Sequence, residues 1–125
     1  MSTIRTLLVA ALVAATALVA LPTAAGAGSC TYNRLCFFED HNSAGSWYMT
    51  SNMNMSHDNL TFANGNDLKN NAESVINRDN QCDVRVIDDR GWWPDDWQDI
   101  PNDNTAYNLI SSVDNENDRH EERNC

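Results

Sequence analysis

Cys36-Phe37-Phe38-Glu39-Asp40-His41-Asn42-Ser43-Ala44-Gly45 runs from an apolar triplet through turn formers to a glycine, and Ser74-Val75-Ile76-Asn77 answers it further along. The triplet suits a short buried strand, and the Asn-Ser-Ala-Gly stretch after it reads as a corner. Gly45 offers that corner a backbone conformation that a Cβ would hinder, and a Ser74 hydroxyl can bond main-chain groups of a hairpin folded over it. Outward from this pair the pattern repeats. Short apolar or aromatic runs at 46–50, 59–63, 84–87, around Trp92-Trp93 and at 111–113 alternate with clusters such as Asn64-Gly65-Asn66-Asp67 and Asp88-Asp89-Arg90-Gly91. No stretch after residue 28 sustains the i, i+3, i+4 apolar spacing of a helix. The expectation is an all-β domain, an antiparallel sandwich or barrel.

The composition agrees. The chain has 125 residues and a formal charge of −10, with 8 Lys plus Arg against 18 Asp plus Glu. Asn occurs 17 times and Asp 13 times from Asn33 onward, and both residues favour turns over helix interiors. A strongly acidic surface lacks the clustered cations that phosphate contacts need, so a nucleic-acid partner is excluded, and docking on an anionic membrane with it.

Residues 1–27 read as a secretory signal peptide. Arg5 supplies the positive end, an uncharged run from Leu7 to Leu21 the apolar region, and Ala25-Gly26-Ala27 the small-x-small site. Cleavage is expected before Gly28, or else before Gly26, leaving one secreted domain, 28–125, with no membrane segment and a monomeric state. All four cysteines, Cys30, Cys36, Cys82 and Cys125, fall in that domain. An even count in an exported chain points to two disulfides. Of the three connectivities, Cys30–Cys36 with Cys82–Cys125 is favoured, since the first closes a short loop and the second ties down a polar tail. That tail, acidic from about Asp114, is expected to be solvated.

Cys36 to Gly45 resembles the first motif, roughly C-L-Y-E-D-x-N-x-x-G, of the Streptomyces metalloproteinase inhibitor-like family of small secreted proteins, with Phe37 and Phe38 in place of Leu and Tyr. Ser74-Val75-Ile76-Asn77 stands where that family starts its Ser-Val-x-Asn strand, 36 residues after Phe38. The resemblance implies a βγ-crystallin-like fold of two Greek keys, in which Phe38, Gly45 and Ser74 hold the first corner. A second, weaker copy is read at Val86-Ile87-Asp88-Asp89-Arg90-Gly91 with Ser112 as its serine. Ser112 follows Ile87 by only 25 residues, so the second key is expected to be shortened.

The same resemblance implies an inhibitor that blocks an extracellular protease, often a metalloprotease, by presenting a rigid loop. The family's own loop is not recognisable here. Two candidates stand in its place: the Trp-rich stretch with Trp92, Trp93, Asp95, Asp96 and Trp97, and the segment beginning Cys82, Asp83, Val84. Three Trp in six residues make the densest apolar contact candidate. The alternative function is a crystallin-type binding module for cell-wall sugar, Ca²⁺ or a surface partner.

Crystallin-type calcium boxes align on Lys69-Asn70-Asn71-Ala72-Glu73-Ser74 and on Tyr107-Asn108-Leu109-Ile110-Ser111-Ser112. Calcium wants six to eight oxygens, yet Lys69 and Tyr107 occupy the first positions, so the oxygen set built on Asn70 and Ser74, or on Asn108 and Ser111, is incomplete. No cofactor is expected, and Ca²⁺ only weakly. No catalytic motif is present, and His41, His57 and His120 lie far apart in the chain, so no enzymatic activity is expected.

Overall fold

The computed structural model describes residues 30–125; the expected signal peptide, 1–27, lies outside the described residues. Eight strands follow in order: β1 Leu35–Asp40, β2 Ala44–Thr50, β3 Met55–Ser56, β4 Ser74–Asn77, β5 Asp83–Asp88, β6 Asp96–Ile100, β7 Ala106–Asn108 and β8 Arg119–Arg123. They form two four-stranded antiparallel sheets, ordered β2-β1-β4-β7 and β3-β8-β5-β6. Each sheet takes three strands from one half of the chain and one from the other, because β3 and β7 change sides. The fold is the all-β Greek-key sandwich that the sequence predicts.

The apolar side chains explain why the sheets face each other. Leu35 and Phe37 of β1, Val75 of β4, Val84 and Val86 of β5 and Ile100 of β6 meet in one core, all fully buried. Each such burial stabilises the fold by roughly 1.5–3 kcal/mol. The other face of β1 is also covered: Cys36 and Phe38 pack with Cys30, Ile76 and Met49. Cys30 is bonded to Cys36 and Cys82 to Cys125, as favoured from the sequence.

The Asn content has a conformational cause. Among the described residues, seven of the eight non-glycine residues with positive φ are Asn: 33, 42, 59, 70, 104, 115 and 124. Asn tolerates this left-handed region better than most side chains. At the first corner Gly45 has φ +72°, and a Cβ there would collide with the Asp40 carboxylate. The Ser74 hydroxyl donates to Asp40 O (2.6 Å) and accepts from the Ser43 N–H (2.9 Å), stitching β4 to that corner.

Three sequence expectations are corrected. The run 59–63 forms no strand: Phe62 anchors a loop in the core, Thr61 makes only an isolated bridge with Asp67, and the nearby strand is β3. Ser112 is not the counterpart of Ser74. Phe38 pairs with Ser74 and Ile87 with Arg119, while the Glu73 N–H donates to Phe38 O and the Asp118 N–H to Ile87 O. Arg119 therefore occupies the serine position, 32 residues after Ile87, and the second key is close to full length. Ser112 lies in the preceding turn, where buried Val113 makes the sequence imitate a strand start. Finally, the tail is not free in solvent: β8 runs between β3 and β5, with Asn117 and His120 buried.

Beneath β8 lies a neutral hydrogen-bonded chain. Asn117 Nδ2 is 2.8 Å from His57 Nδ1, His57 Nε2 is 2.8 Å from His120 Nδ1, and His120 Nε2 is 2.8 Å from Asn52 O. One tautomer set satisfies all three contacts: the Asn117 amide donates to His57, the His57 Nε2–H donates to His120, and the His120 Nε2–H donates to Asn52 O. The Phe37 ring packs on both imidazoles, at 4.9 and 5.3 Å. Burial, and then the neighbouring His120, lowers the His57 pKa from 6.5 to about 3, and burial lowers that of His120.

The unfolded chain therefore takes up protons near pH 6.5 that the folded chain refuses, so stability rises with pH across the window from about 3 to 6.5. Acidification from neutrality should lower the unfolding free energy by up to about 1.4 kcal/mol per pH unit for each histidine. Asp88 opposes this weakly, because burial and then Asp118 and Glu116 raise its pKa. Urea unfolding at a series of pH values should show the decline above the carboxylate range, and a His57→Gln, His120→Gln variant should lose the slope whatever its overall stability. An unaltered slope would refute the assignment.

Candidate functional site

The connection between β5 and β6 covers residues 89–95, and its shape follows from local chemistry. Gly91 adopts φ +64°, and its N–H donates to Asp89 Oδ1 (3.3 Å). The Trp93 N–H donates to Arg90 O (3.4 Å), and the Arg90 N–H to Asp95 Oδ1 (3.3 Å) across the loop. Ion pairs close the base: Arg90 Nη1 lies 2.9 Å from Asp96 Oδ2, and Arg119 Nη2 of β8 lies 3.4 Å from Asp95 Oδ2. The neighbouring Asp118 carboxylate accepts from the Asp89 N–H (2.8 Å). The loop is thereby braced from two strands, and Pro94 removes further freedom from its far side.

On this base Trp92 is 102% and Trp93 72% exposed. Leaving a side chain of that size in water forgoes about 1.5–3 kcal/mol of burial for each ring. Two adjacent exposed Trp on a braced tip form an apolar patch of the kind that contact surfaces use. Trp97 differs. It lies on β6 with the Arg85 guanidinium 3.6 Å from its ring centroid, and Arg85 in turn forks onto Asp99 at 2.7 and 2.9 Å. The Arg85 hydrogen bonds hold the Asp99 carboxyl below its usual pKa, and Asp99 raises that of Arg85.

The sequence-predicted residues thus separate. The structure brings Trp92, Trp93, Asp95 and Asp96 together at one hairpin tip, with Trp97 at its edge. The second candidate loop is corrected: Cys82, Asp83 and Val84 stand at the far end of β5 from that tip. Val84 is fully buried in the core, Cys82 is buried in its disulfide, and Asp83 accepts from the Asn102 N–H and the Asn124 amide. Asp83 and Val84 open β5, and Cys82 directly precedes them, held in its disulfide.

Of the calcium-box side chains, those of Ser74 and Asn108 are engaged within the chain. The Ser74 hydroxyl serves the first corner, and the Asn70 N–H donates to Asn117 O. Asn108 Oδ1 accepts from the Asn42 N–H (2.7 Å), and Ser111 lies exposed in a turn. Lys69 Nζ sits 2.8 Å from Asp58 and 3.3 Å from Asp118, inside a cleft of about 190 Å³ that these residues line with Ser56, Asp89 and Arg119. A half-exposed trio, His41, Glu73 and Asp114, comes close enough to meet a small cation. His57 and His120, far apart in sequence, are neighbours in the core, and no local signal announces that pairing.

Trp92→Ala should leave stability within about 0.5 kcal/mol of the parent, as for an exposed position. Trp97→Ala should cost about 1 kcal/mol or more through the lost cation–π contact. Urea unfolding of the two variants checks this, and equal stabilities would deny Trp97 its packing role.

The model of peptidase inhibitor family I36 matches residues 23–99, well over half of the chain and inclusive of the whole β5–β6 tip. No curated protein and no solved structure matches the chain.

Proposed function

The chain belongs to peptidase inhibitor family I36, and from that membership we propose that it is exported and blocks an extracellular peptidase, with the β5–β6 tip as the docking element. Membership makes it a peptidase inhibitor rather than an enzyme. The observation that carries the choice of loop is the exposed Trp92-Trp93 pair on a tip braced by Arg90, Arg119 and Asp118. A loop already held in shape loses little entropy when it docks. Export is supported by two disulfides, which persist in oxidising compartments. Among the described residues no helix is long and apolar enough to cross a membrane. The resemblance to metalloproteinase inhibitors favours a metallopeptidase target, met by a monomer, and the excess of acids would steer it toward a basic rim.

Inhibition of secreted metallo- and serine peptidases by the mature protein tests the proposal. A Trp92→Ala, Trp93→Ala variant should bind at least thirtyfold more weakly, about 2 kcal/mol, with unchanged melting. Full inhibition by that variant would remove the tip from the mechanism. A sugar-binding module would instead lose ligand on the same change while inhibiting no peptidase.

The same reading includes no dedicated calcium site, because Lys69 pairs with the Asp58 and Asp118 carboxylates and its ammonium would repel a divalent ion there. Millimolar Ca²⁺ should therefore leave the melting temperature nearly unchanged, whereas an intact site at a hundredfold excess over Kd would add about 2.7 kcal/mol. A shift of that size in a melting assay would overturn it.

A further inference from the structure

We propose that Trp93 enters the primary specificity pocket of a peptidase that selects large aromatic side chains, and that Pro94 keeps the tip from being cut once it is bound; this rests on the inhibitor reading above. The exposed large apolar residues among those described are Tyr32, Trp47, Trp92, Trp93, Trp97 and Ile110, and Trp92 and Trp93 alone are consecutive. The loop holds one other side chain that a deep pocket could take, Arg90. Its guanidinium is spent inside the molecule, 2.9 Å from Asp96 and 3.9 Å from Asp88. A pocket lined with a carboxylate to receive arginine would also meet Asp88, Asp89, Asp95 and Asp96 around the tip. The chemistry on offer is aromatic.

Proline at 94 acts twice. A residue that precedes proline is pushed out of the helical region into extended backbone. Pro94 thereby biases Trp93 toward the extended conformation that a cleft accepts when it binds peptide as an added strand, once the long Trp93 N–H contact with Arg90 O (3.4 Å) opens. Pro94 also has no N–H. Hydrolysis adds the water hydroxyl to the carbonyl carbon and its proton to the departing nitrogen. Where the enzyme reads Trp93 on the amino side of the attacked bond, that nitrogen belongs to the proline ring, and Cδ crowds the approach. Where it reads Trp93 on the carboxyl side, the attacked bond is Trp92–Trp93, and residue 94 cannot donate to the cleft. Both registers bind like substrate and turn over slowly. A cut at either bond would also lie inside the loop closed by Cys82–Cys125, so the two pieces would stay joined.

Chymotrypsin, which selects aromatics on the amino side, and thermolysin, which selects apolar residues on the carboxyl side, separate the two registers, with trypsin as the basic-selecting control. The mature protein should inhibit one of the first two and leave trypsin active. Trp93→Ala should weaken that inhibition thirtyfold or more with unchanged melting. Pro94→Ala should still bind, then be cleaved at 93–94 by chymotrypsin or at 92–93 by thermolysin, as seen by mass spectrometry after reduction. Inhibition confined to trypsin, or unaffected by Trp93→Ala, would overturn the proposal and leave the inhibitor reading standing. A Pro94→Ala protein that stays intact while inhibiting would overturn the role of the proline. Absence of inhibition of every peptidase tried would overturn the inhibitor reading and this proposal together.

Discussion

The Asn117 side chain, wholly buried, spends every polar atom it has on the rest of the chain. Its Oδ1 accepts from the Ala72 N–H (2.9 Å), and its Nδ2 donates to Leu68 O (2.9 Å) and to His57 Nδ1 (2.8 Å). Its backbone carbonyl accepts from the Asn70 N–H. One amide thus ties the long loop of the first Greek key to the entry of β8 and to the histidine chain of the core. A buried amide with all partners present rigidifies its surroundings, while one left unpaired would be costly. The three residues after it extend the same service outward. Asp118 takes the Asp89 N–H and pairs with Lys69, Arg119 reaches Asp95, and His120 completes the chain to Asn52. Four consecutive residues, 117–120, therefore connect the core, the second corner, the Trp tip and β3.

That stretch is also where sequence reasoning failed, for a physical reason. β8 reads Arg-His-Glu-Glu-Arg and carries no aliphatic residue; its inward position is filled by an imidazole whose hydrogen bonds are all made internally. Hydrophobic periodicity cannot reveal a strand whose buried face is polar. Ser111-Ser112-Val113 misled in the opposite sense, since one buried valine in a turn gave the pattern of a strand. By contrast β1, β2, β4 and β5 carry apolar side chains into the core or against the outer cluster and were legible, as was the Gly45–Ser74 corner. The Trp tip was legible as a cluster of unusual composition. Its exposure was not, because three Trp in six residues serve a core equally well until the sheet register turns Val84 and Val86 inward and the tip away.

The internal symmetry of the sandwich argues for what that tip is. The first and second keys superpose in topology: β1, β2 and β4 correspond to β5, β6 and β8, and the exchanged strands β3 and β7 to each other. Where β1 turns into β2, three residues, His41–Ser43, suffice, and the corner is drawn tight by Asn108, Glu73 and Asp114. Where β5 turns into β6, the chain spends seven residues, 89–95. Counted between the matched register pairs, Phe38 with Trp47 and Ile87 with Trp97, the two connections differ by a single residue; what sets the second apart is that Trp92 and Trp93 have no burial of their own. Its base is nonetheless held by four carboxylate–guanidinium and carboxylate–amide contacts. A loop that leaves two Trp in water would be free to fray if nothing held it; one braced in this way keeps its shape, which is what supports reading it as a docking element that loses little entropy on binding.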